Sequence, residues 1–430
     1  MSGRTYRPAT AKRQRFYLPN ATLPAHQADC PVCGLRVALP TLYQGQEASC
    51  PRCHHPLARI ESRPYMMTLA CALASLIVLL LVYSLPFVTI AMPGVYSPLR
   101  LPEMLFTLLG GDWGFLGGVL FVFTFGVPLL FVLLCLYLYF SLWQGKTPPG
   151  MLWAARLITR LRHALMVDVF FISVMVAYIK IVTVAQVDFG AAFWLLPVLA
   201  LLLLRTSLAV SEHWVYRQIR RTRRLRAFQA AENTVCCTRC LHFRPLSEGF
   251  CGVCGTELGH RRPGSLSLSA AFLLAAAILY LPANLLPIMI SSNPLKTEIS
   301  TIMSGIIFMW NDGDKLIAVI IFSASIAVPT LKILSMLVLL YCARFKPLMP
   351  VWAMSLQYRI TEAVGRWSMI DVFVIIMMMN AFHTPIAHVS PGPASVYFCL
   401  VVILTMCSAY FFDPRLLWDH AVAERPSSEP

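Results

Sequence analysis

Apolar stretches of membrane-spanning length divide this chain into eight segments. A helix that crosses about 30 Å of hydrocarbon needs roughly 20 apolar residues. Runs of that kind occupy about 65–91, 113–142, 164–184, 190–212, 266–290, 314–342, 367–387 and 394–412. The second and sixth runs are longer than a bilayer requires, so we expect tilt or extension beyond it. The pattern predicts an all-α polytopic membrane protein with eight spans.

The second four runs repeat landmarks of the first four. Met-Val-Asp-Val-Phe, beginning at Met166, matches Met-Ile-Asp-Val-Phe, beginning at Met369, and Pro128 within the second run matches Pro329 within the sixth. Recurrence at a fixed offset of about 200 residues indicates an internal duplication. Because each half holds an even number of spans, the two four-helix modules are predicted to be parallel repeats, unlike the inverted repeats of many transporters.

Polar and cysteine-containing stretches separate the modules. The predicted divisions are a basic arm at 1–28, a zinc ribbon at 29–60, a transmembrane module at 61–230, a second ribbon at 231–260, a second module at 261–420 and a tail at 421–430. The amphipathic stretch 101–109, between the first two runs, is expected to lie along the outer membrane surface.

Charge supports this topology. Only 13% of residues are charged and 58% are hydrophobic, whereas soluble domains carry about 25% charged residues. The net charge of +15 could suggest nucleic-acid binding, but 30 of the 35 Lys and Arg fall in five tracts, at 1–64, 144–163, 205–264, 342–366 and 413–430. These tracts alternate with loops poor in basic residues, which is the positive-inside pattern. We therefore expect both termini in the cytoplasm and no nucleic-acid partner.

Two CxxC pairs precede each module, and they predict metal sites. The ligand sets are Cys30, Cys33, Cys50 and Cys53, then Cys237, Cys240, Cys251 and Cys254. Four thiolates on two tight turns suit the tetrahedral shell of a structural Zn²⁺. A cytoplasmic location disfavours disulfides, and no βαβ pattern supports a redox dithiol. Cys236 could replace Cys237, although the CxxC spacing favours Cys237.

Ionisable residues within the apolar runs are candidate functional residues, because charge inside a membrane is costly. Asp168 and Asp371 occupy equivalent positions in the two halves. Lys332 does not recur, since its counterpart is Phe131. The second half is therefore the specialised one. Asp168 and Lys180 are secondary candidates, about 18 Å apart along one helix and too distant to pair; Lys180 can extend to the interface.

Lys332 and Asp371 are predicted to pair at similar depth, with polar neighbours around them. Pro329 lacks an N–H, so the carbonyl of Ser325 loses its helical partner. The predicted cluster, facing the bundle interior or a wet cavity, consists of Ser325, Pro329, Lys332, Ser368, Asp371 and Thr405. Two interpretations remain open: a site for transport or proton coupling, and a buried clasp between two helices.

The two ribbons, the four-helix blocks and the stretch Arg-Trp-Ser-Met-Ile-Asp-Val-Phe-Val from Arg366 closely resemble the paraquat-inducible protein A family, particularly its LetA branch. The resemblance covers nearly the whole chain, from Cys30 to about Asp419. It implies a Gram-negative inner-membrane protein that exchanges phospholipids with a periplasmic MCE-domain tunnel protein and supports envelope integrity. The family's suspected transport residues match Ser325, Lys332, Ser368, Asp371 and Thr405.

The function expected from all this is lipid transport without enzymatic activity. The alternative is a membrane anchor or scaffold for the MCE partner, in which the charge pair is purely structural. A thiol enzyme is a third class, which tightly bound zinc would exclude because metal-held thiolates are occupied. Small-ion transport is a fourth class. It would use the same charge pair, but the sequence has no cluster of further acidic ligands beside that pair.

Overall fold

Helices long enough to cross a membrane dominate the structure. The computed structural model describes residues 26–423 except 93–94, 111–112, 182–185, 232, 263, 294–295, 312, 314, 346–348 and 382–387. Within these residues seven helical segments have the length and apolar composition of a span: Pro64–Ser84, Gly114–Trp143, Met151–Tyr178, Ala191–Ala209, Ser265–Leu285, Ser323–Arg344 and Pro393–Phe411. The predicted run 367–387 contains a shorter helix, Ile370–Ala381. Residues 382–387 lie outside the described part, so this run stays a predicted span.

The chain begins with a small β module, named ribbon 1. Strand β1 (His26–Asp29) pairs antiparallel with β2 (Arg36–Leu39), and β3 (Glu47–Ser49) pairs with β4 (Pro56–Arg59). Each hairpin turns through one CxxC pair. The residue after each pair, Gly34 or His54, has a positive φ of 70° or 56°. That left-handed step lets the chain reverse tightly enough to bring both sulfurs to one side.

The first half follows, and its membrane helices are separated by shorter elements. In chain order the elements are α1 (Pro64–Ser84), β5 (Val88–Met92), β6 (Val95–Leu99), α2 (Leu101–Gly110), α3 (Gly114–Phe121), α4 (Val127–Trp143), α5 (Met151–Leu161), α6 (Val167–Ile181), β7 (Gln186–Phe189), α7 (Ala191–Ala209) and α8 (Glu212–Thr222). A π-helical turn at Val122–Gly126 joins α3 to α4.

Ribbon 2 and the second half repeat this order. Ribbon 2 contains β8 (Thr234–Cys236) and β9 (Phe243–Pro245). The second half comprises α9 (Ser265–Leu285), β10 (Met289–Asn293), β11 (Lys296–Ser300), α10 (Ile302–Asn311), α11 (Lys315–Phe322), α12 (Val328–Arg344), α13 (Val351–Trp367), α14 (Ile370–Ala381), β12 (His388–Pro391), α15 (Pro393–Phe411) and α16 (Leu416–Ala423). A π-helical turn at Ser323–Ala327 joins α11 to α12.

The all-α prediction is wrong at one end of each bundle, where three strands form an antiparallel sheet. The strand orders are β6-β5-β7 and β11-β10-β12. The runs predicted at 65–91 and 266–290 end early, because Leu85 and Leu286 already have extended backbones. A proline follows each of them, and the residue before a proline disfavours the helical region. The apolar residues after it therefore continue as strand, which hydropathy alone does not distinguish from helix.

A glycine locks each sheet to the start of the next helix. The amide of Gly190 donates to the carbonyl of Phe87 at 2.9 Å, and that of Gly392 donates to Ile288 at 2.8 Å. A Cβ at Gly190 would lie 2.2 Å from the carbonyl oxygen of Pro86. Only glycine permits an approach this close.

The two halves meet through equivalent helices, α6 and α14. The ring of Phe170 on α6 packs edge-on against that of Phe373 on α14, with ring centroids 5.6 Å apart. Both side chains are fully buried, and they occupy the same position in the repeated motif. The same surface of each half therefore contributes to the junction, as in an isologous interface.

Candidate metal centres and intramembrane polar cluster

The eight predicted cysteine ligands gather into two groups. Within each group the four Sγ atoms all lie within 4.8 Å of one another. Neighbouring sulfurs are 3.6 Å apart for Cys30–Cys53 and 3.5 Å for Cys33–Cys50. The corresponding distances in ribbon 2 are 3.4 Å and 3.6 Å. A tetrahedron with Zn–S bonds of 2.3 Å has edges of about 3.8 Å, so both groups fit one such ion.

Each CxxC pair has the same backbone arrangement. The amide of the residue directly after the second cysteine bonds back to the carbonyl of the first. Gly34, His54 and Leu241 thus donate to the carbonyls of Cys30, Cys50 and Cys237 at 2.9 Å. Gly255 does the same toward Cys251. Leu241 has a φ of 56°, which is unusual for a non-glycine residue. The tight turn is therefore adopted even where the sequence disfavours it.

The sulfurs of each group hydrogen-bond to one another, and this divides their pKa values. Hydrogen bonding from Cys30 and its neighbours lowers the pKa of the Cys50 thiol well below its ordinary value, whereas the pKa of Cys30 is raised. In ribbon 2 the pKa of Cys251 is lowered in the same way and that of Cys240 is raised. Because a metal binds thiolate rather than thiol, the donor set suits a soft divalent cation.

Cys236 lies outside the ribbon 2 sulfur group. It is buried, and the backbone amide of Asp29 in ribbon 1 donates to its Sγ at 3.4 Å. The structure thus places Cys237 among the four clustered sulfurs and Cys236 at the contact between the ribbons.

Lys332 is the most unusual residue of the membrane bundle. Its side chain is 4% exposed, and its Nζ has no hydrogen-bond partner within the described part of the chain. Nζ therefore makes no hydrogen bond to Asp371, and the pairing of the two charges stays a prediction. The ammonium lies toward α13, beside Gly365.

Gly365 on α13 lies directly beside the lysine. A Cβ at this position would lie 3.4 Å from Nζ of Lys332 and 3.8 Å from Cγ of Met406 on α15. Sequence reasoning missed this residue. The available signal was the spacing of Gln357, Thr361 and Gly365, which places small or polar groups on one face of an otherwise apolar helix.

A row of hydrogen-bonded polar side chains lies between α12 and α13 and ends at the lysine. The hydroxyl groups of Ser335 and Thr361 are 2.7 Å apart, and Nε2 of Gln357 donates to Ser335 Oγ at 2.9 Å. Thr361 also donates to the carbonyl of Gln357 at 2.8 Å. Lys332 lies one turn before Ser335 on α12, so hydrogen-bonding groups continue along one side of the helix pair up to its ammonium.

The other predicted cluster residues are distributed around this centre. Ser325 is buried in the π-helical turn, and Pro329 is buried at the start of α12. Ser368 is 5% exposed, and its hydroxyl has no hydrogen-bond partner among the described residues. Thr405 is buried and donates to the carbonyl of Val402 on its own helix at 2.9 Å.

The acidic residues begin equivalent helices. Asp371 is half-buried in the first turn of α14, and Asp168 has the same place in α6. Carboxylates in a first turn are stabilised by the helix dipole, which gives both acids a structural role. The side chain of Lys180 lies outside the described residues.

The π-helical turns accommodate the prolines. The amide of Val328 donates to the carbonyl of Ser323, an i to i+5 bond, so the helix widens just before Pro329. Tyr280 on α9 bonds the hydroxyl of Thr330 at 2.7 Å, as Tyr83 on α1 bonds Thr124 at 2.7 Å in the first half. Such widened turns often occur at functional sites.

The helix that carries Lys332 is less enclosed than its counterpart. Helices α4 and α12 have 17 residues each; ten residues of α4 are buried, against five of α12. The lysine itself is buried, but the helix beside it exposes more of its surface. That combination suits a polar centre reached from the surrounding membrane.

Comparison with known proteins follows the same division into halves. The model of a family described as paraquat-inducible protein A matches residues 65–220 and 266–422. The chain is 35% identical over 411 residues to the intermembrane transport protein PqiA of Escherichia coli, covering 93% of this chain and 96% of that protein. It is 32% identical over 399 residues to the lipophilic envelope-spanning tunnel protein A of the same organism, covering 91% and 90%.

A third relative comes from another bacterium. The chain is 30% identical over 416 residues to a probable intermembrane transport protein of Haemophilus influenzae, covering 90% of this chain and 95% of that protein. No solved structure matches the chain.

Proposed function

This chain belongs to the paraquat-inducible protein A family, and we propose that it moves lipid between the inner membrane and an envelope-spanning tunnel. Its relatives are named as intermembrane transport proteins and as an envelope-spanning tunnel protein. The proposed partner is a periplasmic MCE-domain protein, and the proposed cargo is phospholipid. The protein would sit in a Gram-negative inner membrane with eight spans and both termini in the cytoplasm.

The observation that carries the proposal is the buried ammonium of Lys332. An unpaired charge in an apolar bundle costs several kcal/mol. A purely structural clasp would offset this cost with a hydrogen-bonded partner, yet the described residues provide none for Nζ. A negatively charged lipid phosphate is a suitable transient partner, because charge-assisted hydrogen bonds are among the strongest.

The surrounding residues would then position the headgroup and the acyl chains. Ser368 offers an unused hydroxyl to the same ligand, and Gly365 leaves the side of the ammonium that faces α13 free of any side chain of its own. The exposed apolar side of α12 would accept the acyl chains. Proton coupling through Lys332 and Asp371 is part of the proposal, since both groups can change charge.

The proposal has two further parts, which concern the ribbons and the repeat. The ribbons would each bind one structural Zn²⁺, which supplies the cross-link that such small β modules need to fold. The two halves would be an internal duplication, since they share one order of elements. Divergence after duplication would have introduced Lys332 in place of Phe131.

The test is lipid photocrosslinking at a matched pair of buried positions. A diazirine amino acid at Ser368 should crosslink phospholipid in native membranes. The same amino acid at Leu165, the equivalent buried position of the first half, should not. Comparable crosslinking at both positions would contradict a specialised second half.

The scaffold alternative gives a different pattern. If the protein only anchors its partner, Lys332→Met should leave partner binding and envelope integrity intact. The transport proposal expects Lys332→Met to retain partner binding and to lose both crosslinking at Ser368 and envelope integrity.

A further inference from the structure

Each ribbon contacts an amphipathic helix of the opposite half. The carbonyl of Cys53, the last ligand of ribbon 1, accepts a hydrogen bond from Nη1 of Arg359 on α13 at 3.4 Å. The carbonyl of Cys254, the last ligand of ribbon 2, accepts one from Nε of Arg156 on α5. Ribbon 1 also packs on the first half, where the ring of His26 stacks on that of His213 on α8, but the bond to Arg359 joins it to the second half. The bond from Arg156 joins ribbon 2 to the first half. The two arginines are equivalent in the repeat, as are the two cysteines.

A second residue of each ribbon, inside a CxxC pair, also contacts the opposite half. In ribbon 1 the guanidinium of Arg52 lies 4.3 Å from the ring centroid of Trp418 on α16. In ribbon 2 the guanidinium of Arg239 donates to Thr159 Oγ1 on α5 at 2.7 Å. These residues lie between ligands of one metal group, so their positions depend on how that group is folded.

The helix that Arg359 attaches to ribbon 1 also carries Gly365, which lies beside the lysine. Arg359 and Gly365 are six residues apart, about 9 Å along one continuous helix. A movement of α13 at Arg359 therefore displaces Gly365 relative to Lys332. In the first half, Arg162 stands at the equivalent of Gly365 and Phe131 at that of Lys332, so the same movement of α5 reaches no buried lysine.

We propose that metal bound by ribbon 1 controls the intramembrane lysine through Arg359. The filled ribbon fixes the carbonyl of Cys53, Arg359 attaches α13 to it, and α13 keeps Gly365 against the ammonium. Arg359 is a positioning residue that touches no lipid. The attachment of α13 to ribbon 1 through Arg359 does not depend on the lipid proposal. Only the effect of that attachment on the role of Lys332 rests on the proposed function.

Hydrogen exchange in the full-length protein tests the link. The protein is reconstituted in lipid nanodiscs, its bound metal is measured, and exchange of the backbone amides of α5 and α13 is followed by mass spectrometry. Arg359→Ala should keep the metal content of the wild type and raise exchange in α13 about fivefold, as expected for the loss of one ordinary hydrogen bond. Exchange in α5 should not change. Arg156→Ala is the matched control: it should raise exchange in α5 and leave exchange in α13 unchanged.

Metal removal gives the second arm. Cys53→Ser should lose one metal ion and loosen α13, whereas Cys254→Ser should lose one and loosen α5. Unchanged α13 exchange in Arg359→Ala would overturn the proposal, and so would equal loosening of α13 by the two serine variants. If a serine variant does not fold, the two arginine variants still decide, because they leave all eight thiols in place.

The same variants separate this inference from the lipid proposal. Lipid crosslinking at Ser368 should fall in Arg359→Ala and stay at the wild-type level in Arg156→Ala. If the wild type does not crosslink lipid while α13 responds to Arg359→Ala, only the lipid proposal fails. If the wild type crosslinks lipid while α13 does not respond, only the ribbon link fails.

Discussion

Replacing Lys332 by methionine should stabilise the fold while abolishing transport. Methionine has a similar length and is apolar. The side chain is 4% exposed and its ammonium has no hydrogen-bond partner among the described residues. Placing a lysine at the centre of a membrane helix costs about 2.5–3.5 kcal/mol on insertion scales. Lys332→Met removes that cost, so we expect the free energy of unfolding to rise by about 2 kcal/mol after allowing for local relaxation.

The assay is reversible unfolding in mixed detergent micelles, with the equivalent position of the first half as the control. Phe131 is fully buried, and Phe131→Met shortens a packed aromatic ring, which should lower the free energy of unfolding by about 1 kcal/mol. The two substitutions therefore have opposite expected signs. A loss of 3–5 kcal/mol in Lys332→Met would refute the reasoning, because breaking a compensated buried ion pair costs that much.

Three further substitutions test other parts of the site. Gly365→Leu should displace the ammonium, because Nζ of Lys332 lies 3.4 Å from the position of a Cβ there, and should therefore abolish lipid crosslinking at Ser368. The control Gly118→Leu, where no atom lies within 4 Å of the added Cβ, should leave crosslinking at Ser368 unchanged. Cys237→Ser should reduce bound zinc from about two ions per chain to about one, whereas Cys236→Ser should leave it unchanged, as measured by elemental analysis. Thr361→Val removes the hydroxyl bonded to Ser335 and Gln357 and should lower the free energy of unfolding by about 1–2 kcal/mol, whereas exposed Thr107→Val on α2 should change it by less than about 0.5 kcal/mol.

Local patterns in the sequence were enough to predict the ribbons and most of the membrane helices. CxxC spacing and apolar run length are properties of consecutive residues, so neither needs knowledge of the fold. The sheets at β5 and β10 were missed for the same reason. Strand β5 is mostly apolar and β10 begins with Met289 and Ile290, so both follow the apolar runs of α1 and α9 without a break in hydropathy that marks the change of conformation.

The geometry around Lys332 could not be predicted because it depends on helix rotation. Counting residues from the helix ends gives the depth of a side chain, but it does not say which neighbouring helix that side chain approaches. Lys332 approaches α13 beside Gly365, and only the spacing of that glycine with Gln357 and Thr361 marks it in the sequence. The crossed contacts of Arg156 and Arg359 join residues almost 100 and more than 300 positions apart, and only the folded chain shows them.

The packing of Phe170 against Phe373 has an evolutionary consequence. In a half-length ancestor that formed a symmetric dimer, this contact would have joined one phenylalanine to its own copy. Every mutation near the axis would then have acted twice, and a lysine at the position of Phe131 would have buried two charges in one small bundle. The proposed duplication, by fusing two gene copies, would remove that constraint. One half can keep the aromatic core that gives stability, while the other can tolerate a single costly charge.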